Sequence, residues 1–298
     1  MRECLPSLSS RIEQARSAYE SCTLCPHSCE VNRHQHDTGF CRLGAQGRIY
    51  REYLHFGEEA PLCPSYTVYL TGCSLRCLFC SEWDKVVRPQ QHGNPLIPAE
   101  LAQRIDDAII HGAQSVNFVG GDPGVNLLPI LETLSHMRER TRVVWNSNLL
   151  SDSQALTLLS GLVDIWLIDL KFGSPSCASS LSGTDQTYDD IYARLQLLRD
   201  RAETVWIRHL VMPGHVDCCT LPVLRRLAKD FPTFPVNVMT HFLPVGAPNS
   251  PLRRSPAPEE LSQVKKWLQH HEPEHWMWNG NSQESTSSRA SAIPSTMP

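Results

Sequence analysis

The stretch "TVYLTGCSLRCLFCSEWD", residues 67–84, sets a β-type apolar run directly against three cysteines, Cys73, Cys77 and Cys80. Their C-x3-C-x2-C spacing offers three thiolates, one fewer than a closed tetrahedral zinc site takes. Thiolates suit zinc or an iron–sulfur cluster, and three of them suit a 4Fe-4S cluster with one iron left open. A zinc site completed by a distant residue, or buried free cysteines, are the other readings of the spacing. The loop leaves a strand, so the fold question is what the other strands do around it.

Working outward, six runs read as strands: 67–72, 115–120, 142–147, 163–170, 204–212 and 235–240. Helical patterns lie between and after them, around 99–111, 127–139, 152–160, 187–201, 219–229 and 257–270. Strands that are apolar throughout and separated by helices belong to a parallel sheet buried on both faces, joined by right-handed crossovers. Polar residues follow many of these strands: Cys73 the first, "GGDP" the second, "NSN" the third, "DLK" the fourth and "MPGH" the fifth. Polar groups gathered from many strand C-termini are how barrel enzymes build a site. The pattern predicts an α/β fold, a partial (β/α)6 barrel of TIM type.

The 298 residues carry a net charge of −4, which gives no global basic field for nucleic acid or an anionic membrane. No run of about 18 apolar residues is present, and the first 20 residues lack the apolar core of a secretory signal. The chain reads as cytoplasmic, with no membrane and no nucleic-acid partner. Most of its twelve cysteines fall before residue 81, a clustering that favours metal or redox chemistry over disulfides.

A second cysteine set precedes the barrel. "CTLCPHSCEVNRHQHDTGFC" holds Cys22, Cys25, Cys29 and Cys41 in C-x2-C-x3-C-x11-C spacing, with little apolar sequence around it. Four thiolates there predict a second metal, zinc or iron–sulfur, with His27, His34 and His36 as substitute ligands. The divisions expected are a cysteine-rich metal-binding extension at 1–63, a barrel at 64–272 and a disordered Ser/Thr-rich tail at 273–298.

The 67–84 stretch resembles the radical S-adenosylmethionine (SAM) superfamily, whose C-x3-C-x2-C loop carries an aromatic before its third cysteine, here Phe79. That resemblance implies a 4Fe-4S cluster on Cys73, Cys77 and Cys80 whose open iron binds SAM. Reductive cleavage of SAM then gives a 5′-deoxyadenosyl radical that abstracts hydrogen from substrate. "FVGGDP" stands where the family has a glycine-rich motif at the SAM methionyl amine, which implies SAM contacts at Gly120, Gly121 and Asp122. "WNSN", "LIDLK" and "WIRHLVMPGH" are similar to stretches of the pyruvate formate-lyase activating enzyme group. They imply roles near SAM for Asn146, Ser147, Asp169 and Lys171, and at its carboxylate for Arg208; Asn146 stands where the group has an aspartate.

His209 and His215 are candidates for acid–base or substrate roles. Cys218 and Cys219, near a helix start, read best as buried structural cysteines. The cysteine-rich lead resembles uncharacterised relatives of the same activating enzyme, so the implied activity is a radical SAM oxidoreductase acting on a protein or peptide. The implied electron donor is a flavodoxin or ferredoxin. The chain leaves its relatives' pattern at Ser81, Glu82 and Trp83 and again at Gly124, Val125 and Asn126, near the expected substrate side. Competing functions are an iron–sulfur protein that carries electrons or clusters without cleaving SAM, and a zinc-stabilised binding module. About 200 residues of parallel α/β core argue against the last.

Overall fold

The computed structural model of the chain describes residues 5–183 and 188–279. Helix α1 (Leu8–Ala18) opens it, followed by strand β1 (Arg48–His55), β2 (Ser65–Leu70), α2 (Trp83–Val87), β3 (Asn94–Pro95) and α3 (Pro98–Ile110). From there strands and helices alternate: β4 (Ser115–Gly120), α4 (Leu127–His136), β5 (Arg142–Ser147), α5 (Ser153–Leu159) and β6 (Ile165–Asp169). Then come α6 (Pro175–Ser182), α7 (Tyr188–Asp200), β7 (Val205–Leu210), α8 (Leu221–Asp230), β8 (Val236–Met239), α9 (Pro258–His271) and β9 (Trp276–Asn279).

One sheet joins all nine strands in the order β3-β1-β2-β4-β5-β6-β7-β8-β9. From β2 to β9 the pairing is parallel throughout, and β1 and β3 add antiparallel strands on the β2 side. The two edges, β3 and β9, do not pair, so the barrel is open and partial as the strand pattern predicts.

Period-2 alternation sorts each strand's side chains. On β6, Trp166 and Ile168 join the core under the helices, while Ile165 and Leu167 join a separate inner cluster with Leu62, Val144 and Trp206. The inner face also carries a polar residue from several strands: Asn117, Asn146, Asp169, Arg208 and Asn237. The helices are placed by ordinary local chemistry: Asp152 caps α5 by accepting from the Ala155 amide at 2.7 Å, and Ser174 caps α6 through the Cys177 amide at 3.2 Å.

One expectation changes. Trp276–Asn279, assigned to the tail, is a seventh parallel strand after six βα units, and Trp276 stacks on Trp267 of α9 at 5.9 Å. A four-residue run after "HHEPEH" carries too little pattern to announce itself. The other tail residues, 280–298, lie outside the described ones.

The N-terminal extension is also packed onto the barrel. β1 belongs to the sheet, and Tyr19, Leu24 and Leu43 are buried. Buried Arg33 lies 3.9 Å from the Tyr19 ring centroid and donates to the Gly44 and Val125 carbonyls, each at 2.8 Å. Apolar and cation–π packing thus supply a core that the extension's composition did not advertise.

Candidate functional site

The segment between β1 and β2 crosses the N-terminal end of the barrel, where Ser115 and Arg142 at the starts of β4 and β5 donate to its Leu62 and Pro61 carbonyls at 2.8 Å each. It drives Glu58 and Glu59 into the lumen. Glu59 takes Arg208 Nε at 2.9 Å and Asn237 Nδ2 at 2.9 Å; Glu58 takes Asn117 Nδ2 at 2.9 Å and a second guanidinium bond from Arg208. Burial works against Glu59's charge, but the Arg208 guanidinium and the Asn237 amide hold its carboxyl below the usual range. Arg208 is therefore committed to two carboxylates. Neither was anticipated, since nothing in "GEEA" distinguishes an inserted plug from a solvated acidic turn.

The opposite, C-terminal end gathers the strand-end residues. Cys73, Cys77 and Cys80 follow β2 in a loop that packs with Phe79, Phe172, Met212 and Phe242. Backbone bonds clamp this loop from three sides: Arg76 and Leu78 amides to the Ser182 and Leu181 carbonyls at 2.9 and 2.8 Å, the Ala247 amide to the Leu78 carbonyl at 2.8 Å, and the Gly72 amide to the Lys85 carbonyl at 3.1 Å. Burial pushes all three thiols above the ordinary cysteine range, Cys77 to about 12. The Leu75 amide donates to Cys73 Sγ at 3.3 Å. The Phe79 ring meets Phe172 edge-on at 6.1 Å.

Gly120 and Gly121 are fixed by a close backbone crossing. Gly120 has φ +116°, and a Cβ at Gly121 would stand 1.7 Å from the Gly72 carbonyl oxygen. The crossing delivers Asp122, almost fully buried, beside the loop. Its Oδ1 accepts from the Gly124 amide at 2.7 Å, and its Oδ2 from Ser147 Oγ at 2.9 Å and the Asn148 amide at 3.0 Å. Burial lifts its carboxyl to about 6 against the pull of these donors and of Lys171.

Asn148, the last residue of "WNSN", reaches Cys73 Sγ with Nδ2 at 3.5 Å and exchanges bonds with Ser74 Oγ at 3.2–3.3 Å. Sequence reasoning selected its neighbours Asn146 and Ser147 instead. Asn146 is buried on β5 two residues beyond Val144. Lys171 Nζ pairs with Asp169 Oδ2 at 2.8 Å. Burial opposes its charge, yet Asp169, Cys77 and Cys73 hold its pKa above the ordinary lysine value. The structure thus brings together Cys73, Cys77, Cys80, Asp122, Ser147, Asp169 and Lys171, with Arg208 one level deeper beside Asp169.

The N-terminal thiols Cys22, Cys25, Cys29 and Cys41 all line one cavity, together with Arg33, Phe40 and Val125. Gly39 presses on Cys29, where a Cβ would stand 2.6 Å from Sγ, and the Phe40 amide donates to that sulfur at 3.3 Å. His27 stacks on Phe40 at 3.8 Å, and its Nε2 lies 2.8 Å from the Ser74 carbonyl, so this segment packs directly on the Cys73 loop. His34 bonds the Arg16 carbonyl at 2.9 Å. All eleven described cysteines are free of disulfides. His209, in contrast, is fully buried, with Nδ1 at 2.7 Å from the Leu170 carbonyl and Nε2 at 3.0 Å from Thr220 Oγ1; both nitrogens are spent on structure. Among the described residues, no helix is long and apolar enough to cross a membrane.

Comparison with known proteins places this arrangement. A solved radical SAM methyltransferase from Sphaerobacter thermophilus shares the fold with a TM-score of 0.51 at 14% identity, over 73% of this chain and 67% of that one. The pyruvate formate-lyase-activating enzyme of Staphylococcus aureus is 29% identical over 168 residues, 51% of this chain and 63% of the enzyme, so the chain spans less than two thirds of that relative. An uncharacterized protein of Methanocaldococcus jannaschii is 39% identical over 241 residues, 78% of this chain and 69% of that protein. The family model of the radical SAM superfamily matches residues 67–227, from the strand before the three cysteines into α8. That match takes in more than half of the chain, and with the Methanocaldococcus relative it establishes that the chain belongs to the radical SAM superfamily.

Proposed function

We propose that this chain is a radical SAM oxidoreductase that abstracts hydrogen from a protein or peptide, with Cys73, Cys77 and Cys80 holding a 4Fe-4S cluster. The observation that carries the reading is the gathering of two buried thiols, Cys73 and Cys77, and the partly buried Cys80 in one clamped loop near Lys171 at the C-terminal mouth of the barrel. The donor set fits the group. Three thiols whose burial disfavours the free thiolate require a cationic partner to ionise, and the Leu75 amide aimed at Cys73 matches the hydrogen bonding that tunes cluster sulfurs. When bound, such a cluster and SAM supply one-electron reduction of the sulfonium and hydrogen abstraction.

The chain's own residues contribute positioning and electrostatics. Asp122 is fixed by three donors and presents a carboxylate at the edge of the Cys73 loop, suited to an ammonium. Lys171, held charged by Asp169, offsets the negative charge that ligated thiolates bring into a buried site. Asn148 orients Cys73 through its sulfur contact, and the Phe79, Phe172 and Phe242 rings keep water from the loop. Gly120, Gly121, Asn146 and Ser147 shape the neighbouring wall. Arg208 acts at one remove, by setting the lumen floor next to Asp169.

The Staphylococcus aureus relative is by its name an activator of another enzyme, which supports a protein as substrate class. The electron would come from a small carrier such as flavodoxin or ferredoxin. The four thiols around one cavity support a second metal, zinc or iron–sulfur, in a module spanning Cys22 to Cys41. Reconstituted anaerobically and reduced, the chain should show a 4Fe-4S electron paramagnetic resonance signal that changes when SAM is added. An unchanged signal in the presence of saturating SAM would contradict the proposal.

A further inference from the structure

Among the described residues, one group of metal-ligating side chains is gathered closely enough to hold a single ion, and it lies at the ends of β6 and β7. Cys177 near the start of α6 and His215, Cys218 and Cys219 after β7 place one nitrogen and three sulfurs all within 4.8 Å of one another. His215 Nδ1 stands 3.2 Å from Cys218 Sγ and 3.6 Å from Cys177 Sγ. Cys177 and Cys219 are buried, and His215 and Cys218 partly so. We propose that Cys177, His215, Cys218 and Cys219 form a structural mononuclear zinc site that staples the loop after β6 to the turn after β7.

The spacing decides the kind of metal. A tetrahedral zinc with Zn–S of about 2.3 Å and Zn–N of about 2.0–2.1 Å sets its ligand atoms about 3.4–3.8 Å apart. The thiolates of an iron–sulfur cube sit on different irons and stand much farther apart, so a gathering this compact selects one ion. Three thiolates and an imidazole are a zinc donor set, and four protein ligands saturate it, which makes the site structural rather than catalytic.

The backbone is shaped to build it. Val216–Thr220 is a single π-type turn, with the Cys219 and Thr220 amides both donating to the His215 carbonyl at 2.9 and 3.1 Å. The widened turn brings adjacent Cys218 and Cys219 round to the same point as His215; such insertions recur at functional sites. Across the gap, Gly173 meets Cys219 so closely that a Cβ there would stand 2.3 Å from its carbonyl oxygen. Ser174 Oγ accepts from the Cys177 amide at 3.2 Å and so fixes the turn that carries Cys177. The sequence concealed the set because Cys177 lies 38 residues from His215.

This site is independent of the reading of Cys73, Cys77 and Cys80, and its test does not use activity. Zinc and iron are counted by mass spectrometry in the full chain and in Cys177→Ser, Cys219→Ser and Cys25→Ser. The first two variants should each lose one zinc per chain relative to the parent and keep its iron; Cys25→Ser should retain that zinc. Unchanged zinc in Cys177→Ser and Cys219→Ser, or loss of iron in place of zinc, would overturn the proposal.

A measurement on the unmodified chain covers the case in which a variant fails to fold. Iodoacetamide labelling mapped by mass spectrometry should find Cys177, Cys218 and Cys219 protected until a zinc chelator is added. Equal labelling with and without chelator, or a disulfide among the three, would overturn the proposal as well.

Discussion

At the residue scale, His209 carries the clearest consequence for pH. Burial lowers its pKa to about 4 from the ordinary 6.5, with the Lys171 charge acting in the same direction and the Leu170 carbonyl opposing it. The unfolded chain therefore takes up a proton that the fold refuses, so stability is full above pH 6.5 and falls as pH drops towards 4. The loss should total about 3 kcal/mol. Urea unfolding at several pH values should show it in the parent and a flatter profile in His209→Gln; parallel profiles would refute the assignment. Gly121 and Gly112 make a second residue-scale contrast. Gly121→Ala forces a Cβ onto the Gly72 carbonyl and should cost about 3 kcal/mol or more. Gly112→Ala, at φ +102° with open space around it, should cost only about 1–2 kcal/mol, the two midpoints in urea giving the comparison.

At the element scale, the plug between β1 and β2 and the inner face of β7 depend on each other. Arg208→Met leaves Glu58 and Glu59 buried without their guanidinium, so it should cost about 3–5 kcal/mol by urea unfolding. Adding Glu58→Gln and Glu59→Gln should recover part of that loss; a triple variant no more stable than Arg208→Met would contradict the pairing. This element also marks a limit of sequence reading. The inward charge on β7 was visible in "WIRHL", but its partner Glu59 lies 149 residues earlier, and no local pattern announces so distant a pair. Strand runs such as "SVNFVG" and "RVVWNS" were legible because both faces of a parallel strand are buried. β9 was not, because its four residues are edge-placed and half exposed.

At the scale of the whole molecule, one barrel brings three cysteine groups to the loops beyond its strands: the Cys73 loop, the N-terminal cavity packed against it, and the Cys177–His215 cluster. The first two were legible from tight spacing along the chain. Asn148 and the third group were not, since each is assembled from the ends of different strands. On the proposed two-site reading, Cys25→Ala should lower total metal and leave the iron of the Cys73, Cys77 and Cys80 set in place, as zinc and iron analysis of the reconstituted protein can show. Loss of all iron would mean that the two sets assemble as one.

The central claim is that the three thiols after β2 support radical SAM chemistry in this chain. Its most direct test is 5′-deoxyadenosine formation from SAM by the anaerobically reconstituted, dithionite-reduced protein, followed by chromatography. The account predicts the nucleoside with the parent chain and none with Cys77→Ala. An intact, reduced cluster in the parent that forms no nucleoside would contradict it.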